Sequence, residues 1–287
     1  MQIFESIAAL RAFLRDARQA GKSVGLVPTM GALHEGHLSL LRIAAAENDI
    51  VVASIFVNPT QFGSHEDVDA YPRTLAEDSR LADQAGVSAL FHPTVEEIYQ
   101  PGNATWVEVV GSLTEGLCGR ARPGHFRGVT TVVSRLFAIV QPDRAYFGQK
   151  DAQQVQILKR MTQDMCFDIQ IRVLPTVREK DGLAMSSRNT YLSPAERQAA
   201  LILSRSLDHA RQLVAAGERT TAVIEAAVKA FIQTEHMACI DYVELVHPDD
   251  LVKRDLLERA ALLAIAVRIG TTRLIDNTIL EPLHQVS

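Results

Sequence analysis

"SVGLVPTMGALHEGHLSLLRIAAAENDIVVASIFV", residues 23–57, decides the fold. Ser23 to Val27 is a short apolar run that reads as a buried strand, and Ile50 to Val57 is a continuous β-branched run of the kind found where a sheet is covered on both faces. Between them, apolar spacing from about His37 to Ala46 predicts a helix. Strand, helix and strand in so short a stretch make a βαβ unit, which requires the two strands to be parallel.

The alternation continues outward. Ile3 to Gln19 reads as an amphipathic helix ending at Gly21. A helix over Leu75 to Gln84 precedes a strand at Ser88 to Phe91, and the spacing of Val129, Val132, Val133, Leu136, Phe137 and Val140 predicts a helix before a strand near Ala145 to Phe147. A further helix near Gln154 to Met161 leads to a strand over Ile169 to Leu174. The pattern predicts an α/β fold, a Rossmann-like doubly wound parallel sheet, over residues 1–176. After a polar loop from Val177 to Leu192, the run Ser193-Pro194-Ala195-Glu196 combines an N-cap serine, a proline at the first helical position and a glutamate at the third. One helix is expected from there to about Ala216, a second from Thr220 to Thr234, then a period-2 strand at Ile240–Val246 and an apolar run over 261–267. Residues 177–287 read as a smaller C-terminal α/β domain, a lid on the first.

The 287 residues are 47% hydrophobic and 22% charged, enough for sizeable cores and too apolar for disorder. A net charge of −5 with both signs mixed along the chain argues against nucleic acid as a partner. The first residues carry no basic segment followed by an apolar one, and apolar runs elsewhere are soon broken by charge, so a cytoplasmic protein without a membrane span is expected. Cys118, Cys166 and Cys239 are odd in number and far apart, which suggests neither a disulfide framework nor a zinc ribbon.

Within the opening stretch, His34-Glu35-Gly36-His37 admits three readings. The zinc protease pattern HExxH spaces its histidines four apart, whereas here they are three apart with a glycine between. Either histidine could be a satisfied polar group at a helix end. The third reading is a phosphate cradle: Gly31 and Gly36 let backbone amides approach a ligand, a helix N-terminus points at the same place, and imidazoles add uncharged donors. The loop also leaves the carboxyl end of a parallel strand, where open α/β sheets bind ligands. Two other donor-rich loops favour an anion. In Phe147-Gly148-Gln149-Lys150-Asp151, Lys150 is a cation for phosphate oxygens and Asp151 could meet a ribose hydroxyl or a magnesium-bound water. In Asp181 to Asn189, Ser186 and Ser187 precede Arg188. Asn58, Gln61 and Gln154 add amides suited to hydroxyls and a carboxylate.

The set "PTMGALHEGH" (28–37), "FVNPTQF" (56–62), "GLCGRARPGHFRGVTTVV" (116–133), "FGQKDAQQ" (147–154) and "REKDGLAMSSRN" (178–189) resembles, in order and spacing, the pantothenate synthetase (pantoate–β-alanine ligase) family. "HEGH" is similar to the HIGH box of the nucleotidylyltransferase superfamily, and "AMSSRN" stands where class I synthetases carry KMSKS. The resemblance implies ATP-driven condensation of pantoate with β-alanine through a pantoyl adenylate, with Mg²⁺ carried by ATP and no protein ligand to the metal assigned. It places ATP against Met30, Gly31, Ala32, Leu33, His34, Glu35, Gly36 and His37, against Gly148, Gln149, Lys150 and Asp151, and against Val177, Met185, Ser186, Ser187 and Arg188. Gln61 and Gln154 would hold pantoate, with Asn58, Arg122 and His125 at the substrate end. His37, His34, Lys150 and Arg188 are the implied catalytic residues, and a homodimer is implied. The family commonly has methionine at Thr60 and glutamate at Gln149; the latter change removes an acidic charge beside the nucleotide. Three other readings share parts of the pattern: an AMP transferase acting on a phosphorylated acceptor, a tRNA-binding synthetase relative and a non-catalytic binding protein. The negative charge opposes the second, and the cations present oppose the third.

Overall fold

The computed structural model describes residues 1–63, 68 and 71–282, so the last five positions of the expected C-terminal domain lie outside the described residues. The chain divides into two compact units. The first comprises Met1–Val109, Arg122–Gln149 and Ile157–Pro175; the second comprises Val110–Ala121, Lys150–Gln156 and the chain from Thr176 onward.

The first unit is built on six parallel strands, β1 (Gln2–Phe4), β2 (Val24–Thr29), β3 (Ile50–Ile55), β4 (Ala89–Phe91), β5 (Arg144–Gly148) and β6 (Gln170–Leu174), in the order β1-β4-β3-β2-β5-β6. From β2 the chain steps outward through β3 to β4, then crosses to the other side for β5 and β6, so the order reverses between β2 and β5. That reversal is the switch point at which doubly wound sheets hold ligands. Pro28 widens it. β2 pairs with β3 over all six residues but with β5 only at Gly25 and Leu26, so the proline, which has no N–H to donate, sits where the second ladder has ended. The strands part at their carboxyl ends.

Helices α1 (Ile7–Gln19), α2 (Glu35–Glu47), α3 (Leu75–Gln84), α4 (Val95–Ile98) and α7 (His125–Val140) belong to this unit, and α5 (Ser112–Glu115) and α6 (Leu117–Ala121) to the second. The core between α2, α3 and the sheet includes Leu41, Ala44, Ala53, Ala82, Leu90 and Tyr146, each fully buried. The expected helix from Ile3 is corrected at its start. Residues 2–4 are an edge strand paired with β4, and α1 begins at Ile7 behind Ser6, whose hydroxyl accepts from the Ala9 amide at 3.3 Å. A three-residue strand has no period of its own, and its pairing partner lies far along the chain.

α8 (Ala152–Asp164) follows a 3₁₀ turn over Gln149–Asp151. In the second unit, α10 (Leu201–Ala215) and α11 (Thr221–Ile232) pack on an antiparallel sheet of β7 (Ala238–Val246), β8 (Ala261–Ile269) and β9 (Thr272–Leu280). The Ser193–Glu196 capping box forms as expected. The single helix expected from it is two, α9 (Pro194–Ala199) and α10, parted at Ala200, where Leu203 N donates to Ala200 O in a tightened i+3 turn. β9 went unread because Arg273, Asp276 and Asn277 interrupt its hydropathy, although Asp276 and Asn277 are both buried.

Candidate active site

The loop after β2 is held from within. Gly31 takes φ of 88°, a left-handed conformation, and a Cβ there would lie 3.1 Å from both Asp78 Oδ2 and Ile55 Cγ2. Ala32 follows at φ of 50°. The two turns aim the Ala32 and Leu33 amides at the Asp78 carboxylate, 3.0 and 2.7 Å away, while Thr74 Oγ1 donates to the same group at 3.1 Å. Asp78 is 1% exposed. The Gly31 amide reaches Thr29 Oγ1 at 3.2 Å, and that hydroxyl in turn donates to Ser54 O.

At the start of α2 the two histidine rings accept from backbone amides of the first turn. His34 Nδ1 accepts from the Gly36 amide at 3.1 Å, and His37 Nδ1 accepts from the His34 amide at 3.4 Å. Their rings lie with centroids 4.1 Å apart, tilted by 33°. A ring whose Nδ1 accepts carries its proton on Nε2 when neutral, so the backbone sets the tautomer and makes Nε2–H the donor of both imidazoles. The cradle expected from backbone amides is therefore corrected. The amides of Gly31, Ala32, Leu33, His34 and Gly36 are engaged by protein groups, those of Ala32 and Leu33 by Asp78 of α3, and the donors that suit an anion are imidazole N–H groups with the positive end of α2 behind them. Glu35 is turned to Arg42, whose hydrogen bond holds this carboxyl below the usual range; its charge is matched on the helix itself.

The turn after β3 forms a second cluster. Asn58 is 1% exposed, and its amide makes five contacts: Nδ2 donates to Gln61 Oε1 at 3.0 Å and Gly128 O at 3.1 Å, while Oδ1 accepts from Tyr99 Oη at 2.8 Å, Thr60 Oγ1 at 2.9 Å and the Thr60 amide at 3.4 Å. The Asn58 amide, expected at the substrate end, is engaged by these protein neighbours. Gln61 Nε2 lies 3.2 Å from Met30 Sδ, which brings a residue of the first loop to the second cluster. The Gln61 carbonyl accepts from His125 Nδ1 at 2.8 Å, and His125 Nε2 accepts from Arg122 Nη1 at 2.8 Å, because a guanidinium only donates. Gly128 lets α7 approach this closely, since a Cβ there would fall 2.3 Å from Thr60 O. Thr60 enters the cluster through its hydroxyl. Asp78 and Tyr99 escaped the sequence reading; one is an acid among many on a helix face, the other a lone aromatic.

The second unit gathers the cations. Lys150, Ser186, Arg188, Asn189, Arg273 and Asp276 line one cleft, so groups 36 and 38 residues from Lys150 meet beside it. A hairpin over 178–184 presents Ser186 to Arg188: Val177 O accepts from the Met185 amide at 3.0 Å, and Gly182 turns the tip at φ of 96°. Arg178 grips Asp276 of β9 with two bonds of 2.6 and 2.9 Å, Asn189 Nδ2 donates to Glu179 at 2.7 Å, and Arg197 bridges Glu179 and Asp181. The Ser186 hydroxyl accepts from the Arg188 amide at 3.3 Å. Asn277 Nδ2 donates to Lys150 O at 2.9 Å and fixes the 3₁₀ turn, at whose end Asp151 is exposed. Gln154 stands half-buried on the first turn of α8, whereas Gln153 is buried and tied to Leu113 O, Gly116 O and the Cys118 amide. A cavity of about 430 Å³ beside the start of α11 contains none of the residues singled out in the sequence, so volume does not mark the site.

The Pantoate-beta-alanine ligase family matches residues 2–279. A pantothenate synthetase of Pelotomaculum thermopropionicum is 56% identical over 283 residues, covering 99% of this chain and all of the relative; that of Moorella thermoacetica is 57% identical over 281 residues, covering 98% and 99%. The crystal structure of pantothenate synthetase from Thermus thermophilus superposes with a TM-score of 0.93 at 46% identity, over 97% of this chain and 99% of that one. A pantoate–β-alanine ligase from Francisella tularensis, complexed with β,γ ATP and β-alanine, superposes with a TM-score of 0.80 at 34% identity over 97% of each chain. With this sheet and these motifs, the chain belongs to the pantoate–β-alanine ligase family, ligases that form a carbon–nitrogen bond.

Proposed function

We propose that this chain condenses pantoate with β-alanine at the expense of ATP, through a pantoyl-adenylate intermediate. The observation that carries the reading is the pair of histidines at the switch point, their Nδ1 atoms engaged by backbone N–H and their Nε2–H groups set as donors. A carboxylate does not acylate an amine at neutral pH because oxide would have to leave. The pantoate carboxylate therefore attacks the α-phosphorus of ATP, and pyrophosphate departs with the electron pair of the broken P–O bond. The β-alanine amine, as the free base, then attacks the activated carbonyl; AMP leaves and the amine loses a proton. No protein nucleophile is required. His37 and His34 in the first unit supply N–H donors to phosphate oxygens, and Lys150 and Arg188 in the second supply positive charge where negative charge grows. Gln61 and Gln154 hold pantoate, and Arg122 and His125 brace the Gln61 backbone.

Mg²⁺ enters on the phosphates of ATP and neutralises charge there. Asp151, exposed beside Lys150, fits a role toward a magnesium-bound water, with Gln149 contributing no charge. A cytoplasmic homodimer completes the proposal; among the described residues, no helix is long and apolar enough to cross a membrane.

The test is exchange of labelled pyrophosphate into ATP with Mg²⁺ and pantoate present and β-alanine absent. Exchange dependent on pantoate is the expected outcome. His37→Ala and Lys150→Ala should each lower it about 10²–10³-fold while the protein stays folded, the loss typical of one donor to a developing oxyanion. Exchange without pantoate, or wild-type rates in both variants, would overturn the acid or the assignments.

A further inference from the structure

Gln61 can face a ligand with its oxygen or with its NH₂, and the buried polar cluster behind it selects one. Gly128 O only accepts, so the Asn58 side chain must turn Nδ2 toward it, at 3.1 Å. The other N–H of that amide then points at Gln61, which has to answer with Oε1, at 3.0 Å. The alternative rotation would set two NH₂ groups against each other. Gln61 therefore presents Nε2–H outward, and its neighbour there, Met30 Sδ at 3.2 Å, is a weak acceptor that an oxygen of a ligand would outcompete.

What keeps Asn58 in this pose lies on its far side. Oδ1 is buried and accepts from two hydroxyls, Tyr99 Oη at 2.8 Å and Thr60 Oγ1 at 2.9 Å, which lie 3.1 Å from each other. Burial raises the Tyr99 phenol above its usual range, so it stays protonated and donates. Its ring is braced by the Arg135 guanidinium, 4.5 Å from the centroid. Two donors on Oδ1 polarise the amide and strengthen the N–H that holds Gln61. Without them a buried carbonyl oxygen is left with only the long Thr60 amide contact.

We infer that Tyr99 and Thr60 are positioning residues for the acid substrate: through Asn58 they lock the Gln61 amide so that it offers N–H to an acceptor oxygen of that acid. The inference rests on Gln61 holding pantoate.

Steady-state kinetics on the full-length enzyme, with pantoate varied at saturating ATP and β-alanine, decide it. Tyr99→Phe and Thr60→Val should each raise the pantoate KM about 5–30-fold, the effect of losing one buried hydrogen bond, with the ATP KM within about twofold of wild type. Thr60→Ser should restore the wild-type KM. In a Gln61→Ala background, Tyr99→Phe should add less than about twofold, because the group it positions is gone. A pantoate KM unchanged in both Tyr99→Phe and Thr60→Val, while Gln61→Ala raises it, would overturn the relay and leave the role of Gln61 standing. A parallel rise in both KM values with no rescue by serine would also overturn it. An unchanged pantoate KM in Gln61→Ala would remove the role of Gln61 itself. Should Tyr99→Phe not fold, the Thr60→Val and Thr60→Ser pair decides alone.

Discussion

The loop over 30–37 and the hairpin over 178–189 look alike as sequence, each a polar, glycine-containing stretch rich in donors, yet they are anchored by different physics. The first is held by backbone amides entering the buried Asp78 carboxylate and by two imidazoles that accept from the His34 and Gly36 amides. The second is held by ion pairs, Arg178 with Asp276 and Arg197 with Glu179 and Asp181. In both the anchor is a carboxylate remote in the chain, 46 residues from Ala32 in one case and 98 from Arg178 in the other. In the first loop the carboxylate is buried and met by backbone N–H groups rather than by a cation, an anchoring that salt screens little. Ionic anchoring gives a hairpin that responds to salt and acid, as its partly exposed partners dictate.

The largest test of this contrast removes the cation from the buried pair. Arg178→Met keeps most of the apolar stem but leaves Asp276, 1% exposed, without its guanidinium; a loss of about 3–5 kcal/mol is expected in urea unfolding at pH 7. A loss under about 1 kcal/mol would mean that the hairpin is not held by this pair.

Asp78→Asn should cost less, about 1–3 kcal/mol, because the amide keeps one acceptor oxygen but aims an NH₂ at backbone N–H. Its stability deficit should be the same at low and at molar salt, whereas that of Arg197→Met, which removes the partly exposed pairs to Glu179 and Asp181, should shrink as salt rises. Equal salt responses would erase the distinction between the loops.

The smallest effect concerns acid. The hydrogen bond from Arg197 holds Asp181 below the usual carboxylate range, so the native hairpin favours the ionised form. The resulting stabilisation is present above the ordinary aspartate value, about 4, and is lost as pH falls through the lower folded value. Hydrogen exchange of the Leu183 and Met185 amides, corrected for intrinsic rates, should accelerate below about pH 4, and Asp181→Asn should flatten that step. The Ala32 and Leu33 amides report on the other loop, and acceleration there with the same dependence on Asp181 would break the comparison.

The parallel sheet was legible because its strands are continuous apolar runs and its helices keep their period, as Val129 to Val140 does. β1 was not, since three residues carry no period, and β9 was not, since Asp276 and Asn277 are polar yet buried, satisfied by partners that no local pattern reveals. Lys150, Ser186 and Arg188 were singled out one by one as donors, and the cleft that unites them could not be read from their spacing. Asn58 was read as a substrate-side amide because an amide beside a strand end looks like one; its burial and its five contacts, one of them to Gln61 and two to the distant Gly128 and Tyr99, are revealed by no local pattern.

By itself the sequence determined the alternation of strands and helices from β2 to β6, the loops that carry donors and the family those loops belong to, because hydropathy period, caps and motif spacing are local properties. The tertiary structure alone decided where the sheet order reverses, which tautomer the two histidines present and which face Gln61 offers. Those depend on pairings between groups distant in the chain, and a hydrogen bond has a direction only once both partners are in place.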